Sequence, residues 1–138
     1  MVSKDLVLNL NVIANQLPEL VKQKLDNCGY IVENKAKANC NVDTGALRSS
    51  ITHEATENEC VIGTNNEIGI YIHEGTGKYA KNGNGRQEPW VYKDRQGNWH
   101  TTEGMKPNPF LEDALYDSIT EIQNEFEGML EGALEWYY

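Results

Sequence analysis

The side chains with which this chain could do chemistry are its three histidines, its three cysteines, a serine pair and its many carboxylates. His73-Glu74 begins the H-E pair of a helical zinc site. Position 77 is Gly rather than His, so the two-ligand spacing fails. His53, His73 and His100 remain able to meet in space on one metal ion, and on them rests an alternative reading as a metal-dependent hydrolase. Cys28, Cys40 and Cys60 contain no C-x-x-C pair, so they read as buried, reduced thiols rather than a structural zinc site. Ser49-Ser50 lies outside any G-x-S-x-G elbow. Gly75-Thr76-Gly77-Lys78 has the look of a phosphate loop without its four-residue spacer or the hydroxyl residue after the lysine, and reads as a flexible loop. The carboxylates fall mostly on helical stretches with no paired partner. The expectation is no catalytic residue, no metal and no cofactor.

The elements that would position such groups are legible from periodicity. From Pro18 to Ala38 the apolar residues Leu20, Val21, Leu25, Cys28, Ile31, Val32 and Ala36 step by three and four, the spacing of one helical face. Pro18 suits a first helical turn, and residues 6 to 16 read as a shorter amphipathic lead-in. Gly29 is a weak point, costing about 1 kcal/mol relative to Ala. After a stop near residues 39–41, Asp43 or Thr44 can cap one or two further helical turns. Residues 51–56 and 59–64 read as a hairpin. Residues 67–74 fit either a strand, by the alternation of Ile68, Ile70 and Ile72, or a helix. Residues 75–88 form a glycine-rich loop, expected to be mobile. Residues 90–92 and 98–101 flank Asp94-Arg95-Gln96-Gly97 as a second hairpin. Asn108 as cap and Pro109 at the first position open a last helix, expected to run to Glu135, about 42 Å, with Gly128 and Gly132 weakening its last turns. These elements amount to one α+β domain over residues 1–138: a small antiparallel sheet packed against two long helices, with a long mobile loop and hairpin in the middle.

Charge excludes whole classes of partner. The net charge of −9 argues against non-specific nucleic-acid binding and against docking on an anionic membrane, since each needs a cationic face. No apolar run is long enough for a transmembrane helix or a signal-peptide core, and the chain is expected to be made and kept in a cytoplasm unless a larger assembly carries it out. The charge is uneven. Residues 107–138 carry eight acidic and no basic side chains, whereas residues 75–106 carry six basic and three acidic ones. A weakly basic middle thus faces an acidic body and tail, and suggests contact with an acidic partner, such as the next copy of the same protein.

Four motifs then fall in a recognisable order: V-D-T-G-A-L-R-S-S-I (Val42 to Ile51), V-I-G-T-N (Val61 to Asn65), I-Y-I-H-E-G-T-G (Ile70 to Gly77) and N-P-F-L-E-D-A-L (Asn108 to Leu115). Together they resemble the tail-completion, or head–tail joining, family of long-tailed double-stranded DNA bacteriophages and prophages, over about residues 18 to 135. The chain departs from the family pattern at Ile68-Gly69, where members often have Tyr-Ala, and at His73-Glu74. The resemblance implies a non-enzymatic virion component of the neck, made in the bacterial host cytoplasm. It also implies a ring around the DNA channel, with a hexamer as the expected form. Its partners would be itself and neighbouring neck and tail proteins, with DNA passing through without specific binding. A tail terminator or another minor tail protein is the second alternative. The motif residues with expected structural roles are Asp43, Thr44, Gly45, Leu47, Arg48, Gly63, Glu74, Gly75, Thr76, Pro109, Phe110 and Leu111, with Arg48 expected to pair with Asp43 within the chain or, as the alternative, with an acidic neighbouring subunit. Lys78, Lys81, Arg86, Trp90, Trp99 and Trp136 are the expected interface residues, on a partner-binding arm spanning residues 75–106 and on an aromatic C-terminal end.

Overall fold

The computed structural model describes residues 4–40 and 45–129, with side chains from residue 14 onward. Five α-helices and two separate two-stranded antiparallel sheets make an α+β fold. In order they are α1 (Lys4–Asn39), α2 (Ala46–Ser50), β1 (Thr52–Ala55), β2 (Cys60–Gly63), α3 (Ile68–Glu74), β3 (Trp90–Lys93), β4 (Trp99–Thr102), α4 (Phe110–Asp117) and α5 (Ile119–Glu127). A single 3-10 turn, Gly77–Tyr79, interrupts the glycine-rich stretch.

Helix α1 is the spine. Its face of Cys28, Val32 and Ala36 recurs every four residues and is buried, and buried Cys40 continues it just past the helix end. It packs on β1 and β2 and on the α4–α5 run. Ala36 and Ala114 are both fully buried, and so small a pair lets α1 and α4 approach closely. Leu47, Ile51, Ile72 and Phe110 complete the core, with Ile62, Met105, Leu111 and Ile122 packed around it. The two long helical runs thus share one core with the first sheet.

Three expectations need correction. Helix α1 does not start at Pro18 but runs through it from Lys4. A proline inside a helix removes one backbone bond and crowds the carbonyl four residues earlier. Here Ala14 and Pro18 are both solvent-exposed, so the freed carbonyl reaches water. Pro109 takes the N-cap position rather than the first helical one. Its ψ of 64° is not helical, and Phe110 N–H bonds back to Asn108 O at 2.8 Å in a tight inverse turn. The last helix is interrupted at Ser118, fully buried, which ends α4 and begins α5; the helix's expected end at Glu135 lies outside the described residues. The hydroxyl of Ser118 donates to Ala114 O at 2.6 Å and its N–H to Leu115 O at 3.1 Å, which tightens the turn locally. The second hairpin, β3 and β4, forms a sheet of its own within the middle arm.

The ambiguous residues 67–74 are helical. Asn66 Oδ1 accepts from Ile68 N–H at 3.0 Å and Asn66 O from Gly69 N–H at 2.9 Å, which starts the turn. Gly69 and Ile72, three apart, are the buried pair. A Cβ on Gly69 would lie 2.9 Å from Thr64 and 3.2 Å from Leu47.

Candidate assembly surface

The G-T-G motif is a backbone crossing. Thr76 N–H donates to Met105 O at 2.9 Å, Met105 N–H to Thr76 Oγ1 at 3.0 Å, and Lys78 N–H to Glu103 O at 3.2 Å. Two chain segments can lie this close only where side chains are missing. A Cβ on Gly77 would fall 2.2 Å from Glu103 O, and one on Gly104 would fall 2.1 Å from Thr76 O. Both glycines also have left-handed φ, +62° and +114°. Gly75 is buried beside Met105 and Pro107. The Lys78 ammonium pairs with Glu103, which holds its pKa above the usual lysine range. This lysine and the Thr76 hydroxyl are therefore engaged within the chain, and the segment is no phosphate cradle. Glu74 O accepts from Lys81 N–H at 2.8 Å. The crossing fixes both ends of the arm that leads out to β3 and back from β4.

A second junction lies at Asn108. Its N–H donates to Ile72 O at 2.8 Å and its side-chain amide to Asn39 O at 3.1 Å. This ties the ends of α1 and α3 to the start of α4, where Phe110 is fully buried and Leu111 partly so. Arg48 Nε donates to Lys37 O at 3.0 Å, so α2 is pinned to the end of α1. Asp43 and Thr44, its expected partner and the expected caps, lie outside the described residues, as does Trp136. Helix α2 is entered through Gly45 in a left-handed conformation, φ 79°, with no side-chain cap. Leu47 is buried, and Gly63 closes β2.

The crossing presents the β3–β4 hairpin. Trp90, Val91, Tyr92 and Lys93 pair with Thr102, Thr101, His100 and Trp99. Gly97, at φ 89°, closes the turn, and Asp94 organises it. Asp94 accepts from Asn98 N–H at 2.8 Å and meets His100 Nε2 at 2.6 Å. The His100 bond, then the Asn98 amide, holds the Asp94 carboxyl below its ordinary range. The Tyr92 and His100 rings stack at 5.3 Å. Arg86 lies over Trp90 at 5.8 Å and Lys93 over Trp99 at 5.8 Å. Trp90 is half-buried, whereas Trp99 is 68% exposed. Lys81, Arg86, Lys93 and Arg95 form no ion pair among the described residues.

The three histidines occupy separate settings. His53 sits between Asp26 (Nε2 to Oδ1, 2.9 Å) and Glu33 (Nδ1 to Oε1, 3.5 Å), edge-on to Tyr30. It lies over Gly29, where a Cβ would meet its ring at 2.3 Å. Gly29 is therefore the gap through which β1 approaches α1. His73 lies edge-on to Phe110 and His100 belongs to the hairpin. Among the described residues no group of three His, Cys, Asp or Glu is arranged to hold a metal ion, and no helix is long and apolar enough to cross a membrane. All three cysteines are free, two buried and Cys60 half-buried. Burial, as the main cause, raises the Cys28 and Cys60 thiol pKa values. Sequence reasoning missed the acid–histidine–acid bridge on α1. Its signal was the helical spacing of Asp26, Gly29 and Glu33.

The described residues thus define a small α+β domain that holds an aromatic, cation-bearing hairpin away from its core. The family model described as "Bacteriophage HK97-gp10, putative tail-component" matches residues 4–83. That span is more than half of the 138 residues, and the chain belongs to this HK97-gp10-like family of phage tail components. Membership supports a structural role in the tail and a place in the virion. The match takes in the V-D-T-G, V-I-G-T and G-T-G motifs and ends before β3. No curated protein and no solved structure matches the chain.

Proposed function

We propose that this protein is a structural component of the phage head–tail junction, assembling as a homo-oligomeric ring, expected to be a hexamer, that completes the tail or joins it to the DNA-filled head. The observation that carries the reading is membership of a tail-component family. The order of the four motifs, including N-P-F-L at the Asn108 junction, supports the joining role in particular. Electrostatics are consistent with a channel wall. A net charge of −9 repels the DNA backbone, so the genome passes without being held. Its other partners are the neighbouring neck and tail proteins, and it is made in the bacterial host cytoplasm.

The test is a nonsense mutation in this gene in the phage or prophage that carries it, with electron microscopy of the lysate. Filled heads and full-length tails that remain separate are the expected result. Normal virions would overturn the reading, and a lysate without tails would move the protein to an earlier step of tail building.

A further inference from the structure

Resting on that ring reading, we propose that the face of the β3–β4 hairpin bearing Val91, Lys93 and Trp99 docks on the Leu115–Tyr116–Ile119 stripe of α4–α5 in a second copy of this chain. The hairpin side follows from register. Lys93 is opposite Trp99 and Val91 opposite Thr101, so alternation puts all four on one face. Val91 is 60% exposed, and β3 and β4 pack chiefly on each other. A two-stranded hairpin is marginal by itself in water. One that displays a tryptophan and a valine gains stability only when a partner covers them.

The receiving side is the one exposed apolar stripe on the acidic helices among the described residues. Ser118 at the break keeps right-handed dihedrals, φ −100° and ψ −3°, so the spacings of four between Leu115 and Ile119 and of three between Tyr116 and Ile119 keep these exposed residues near one another on the surface. Tyr116 is 67% exposed. The inward acids of this run are already used: Glu121 pairs with Lys35 and Glu125 with Lys24, both on α1. Glu112, Asp113 and Asp117 are exposed and form no ion pair among the described residues. They frame the stripe with negative charge, while Lys93 and the turn residue Arg95 bring positive charge beside Val91 and Trp99.

Charge complementarity therefore selects a second copy of this chain as the occupant. An apolar patch ringed by cations meets an apolar patch ringed by acids. Tryptophan and tyrosine at the centre supply the anchors such contacts depend on. Two different patches on one chain make a head-to-tail contact, the kind that closes into a ring when the rotation allows.

The experiment uses the full-length protein. One variant carries Lys93→Glu and Arg95→Glu, the other Glu112→Lys and Asp113→Lys; all four positions are exposed, and circular dichroism checks the fold. Sedimentation equilibrium should show each variant associating about tenfold or more weakly than wild type. An equimolar mixture should associate again, because reversed hairpin then meets reversed helix. Trp99→p-benzoylphenylalanine should cross-link under light to a peptide within residues 110–127 of another copy. A wild-type chain that stays monomeric at its highest soluble concentration, variants that associate like wild type, a mixture that stays apart, or cross-links elsewhere would each overturn the docking. Separate heads and tails from the nonsense mutant would leave the junction role standing even then.

Discussion

Replacing Gly77 with alanine tests the crossing that holds the hairpin arm. The new Cβ would stand 2.2 Å from Glu103 O, at a residue whose φ is +62°. The left-handed conformation alone costs about 1–2 kcal/mol for an L-residue. Relief of the clash needs a shift of about 1 Å of backbone, and three bonds link the segments: Thr76 N–H to Met105 O, Met105 N–H to Thr76 Oγ1, and Lys78 N–H to Glu103 O. At about 1 kcal/mol net for each, their loss brings the total to about 4–5 kcal/mol. Against a usual stability of about 5–15 kcal/mol, this is a large fraction. Urea unfolding followed by circular dichroism should show the midpoint fall strongly for Gly77→Ala. Gly63→Ala is the control, because its Cβ would meet nothing within 4 Å and its φ is not positive. It should change stability by less than about 1 kcal/mol. A Gly77→Ala protein that unfolds at the wild-type midpoint would refute the crossing.

Phe110→Ala should destabilise by about 3–5 kcal/mol in the same assay, because a fully buried ring leaves a cavity among Ile72, Leu47 and Ala114. Gly29→Ala should destabilise by about 1–3 kcal/mol despite alanine's better helix propensity, because its methyl would displace the His53 ring; a stabilised variant would contradict the close approach. Asp94 has a depressed pKa in the folded chain, so its support for the hairpin turn is present above the unfolded carboxylate value near pH ~4 and is lost as pH falls through the folded value. Amide NMR signals of residues 94–100 should accordingly shift in that acid window, and Asp94→Asn should remove the shift. Mass spectrometry under non-reducing conditions should find three free thiols, and Cys60 should alkylate more slowly at pH ~8 than a small thiol, since burial raises its pKa.

Periodicity made the buried face of α1 readable, because Cys28, Val32 and Ala36 repeat at helical spacing and pack as such. Both hairpins were readable for a different reason: their turns are short and polar, and Gly97 supplies the positive φ that closes the second. The breaks were not readable. Pro18 signals a start, yet solvent at Ala14 lets the helix pass through it. Ser118 carries no local breaking signal; its burial against Ala114 does the work. The alternation of Ile68, Ile70 and Ile72 imitates a strand; the Asn66 bonds that start the turn, and the fit of Gly69 under Thr64 and Leu47, favour the helix. For the proposed assembly surface, charge and aromatic content single out residues 75–106 as the basic, tryptophan-bearing stretch of the sequence. Which cations are free was not visible, since the pairing of Lys78 with Glu103 depends on the crossing. The proposed receiving stripe was hidden for the same reason: Glu121 and Glu125 have α1 lysines beside them, and the sequence does not show which acids of this run do.

Cryo-electron microscopy of the virion neck tests the central claim most directly. The account predicts a ring of this protein at the head–tail junction, with the β3–β4 hairpin of each copy seated on α4–α5 of the next and Trp99 against Tyr116. A single copy at the neck, or none, would contradict the ring, and a ring in which the hairpin faces solvent or the DNA channel would contradict the contact that builds it.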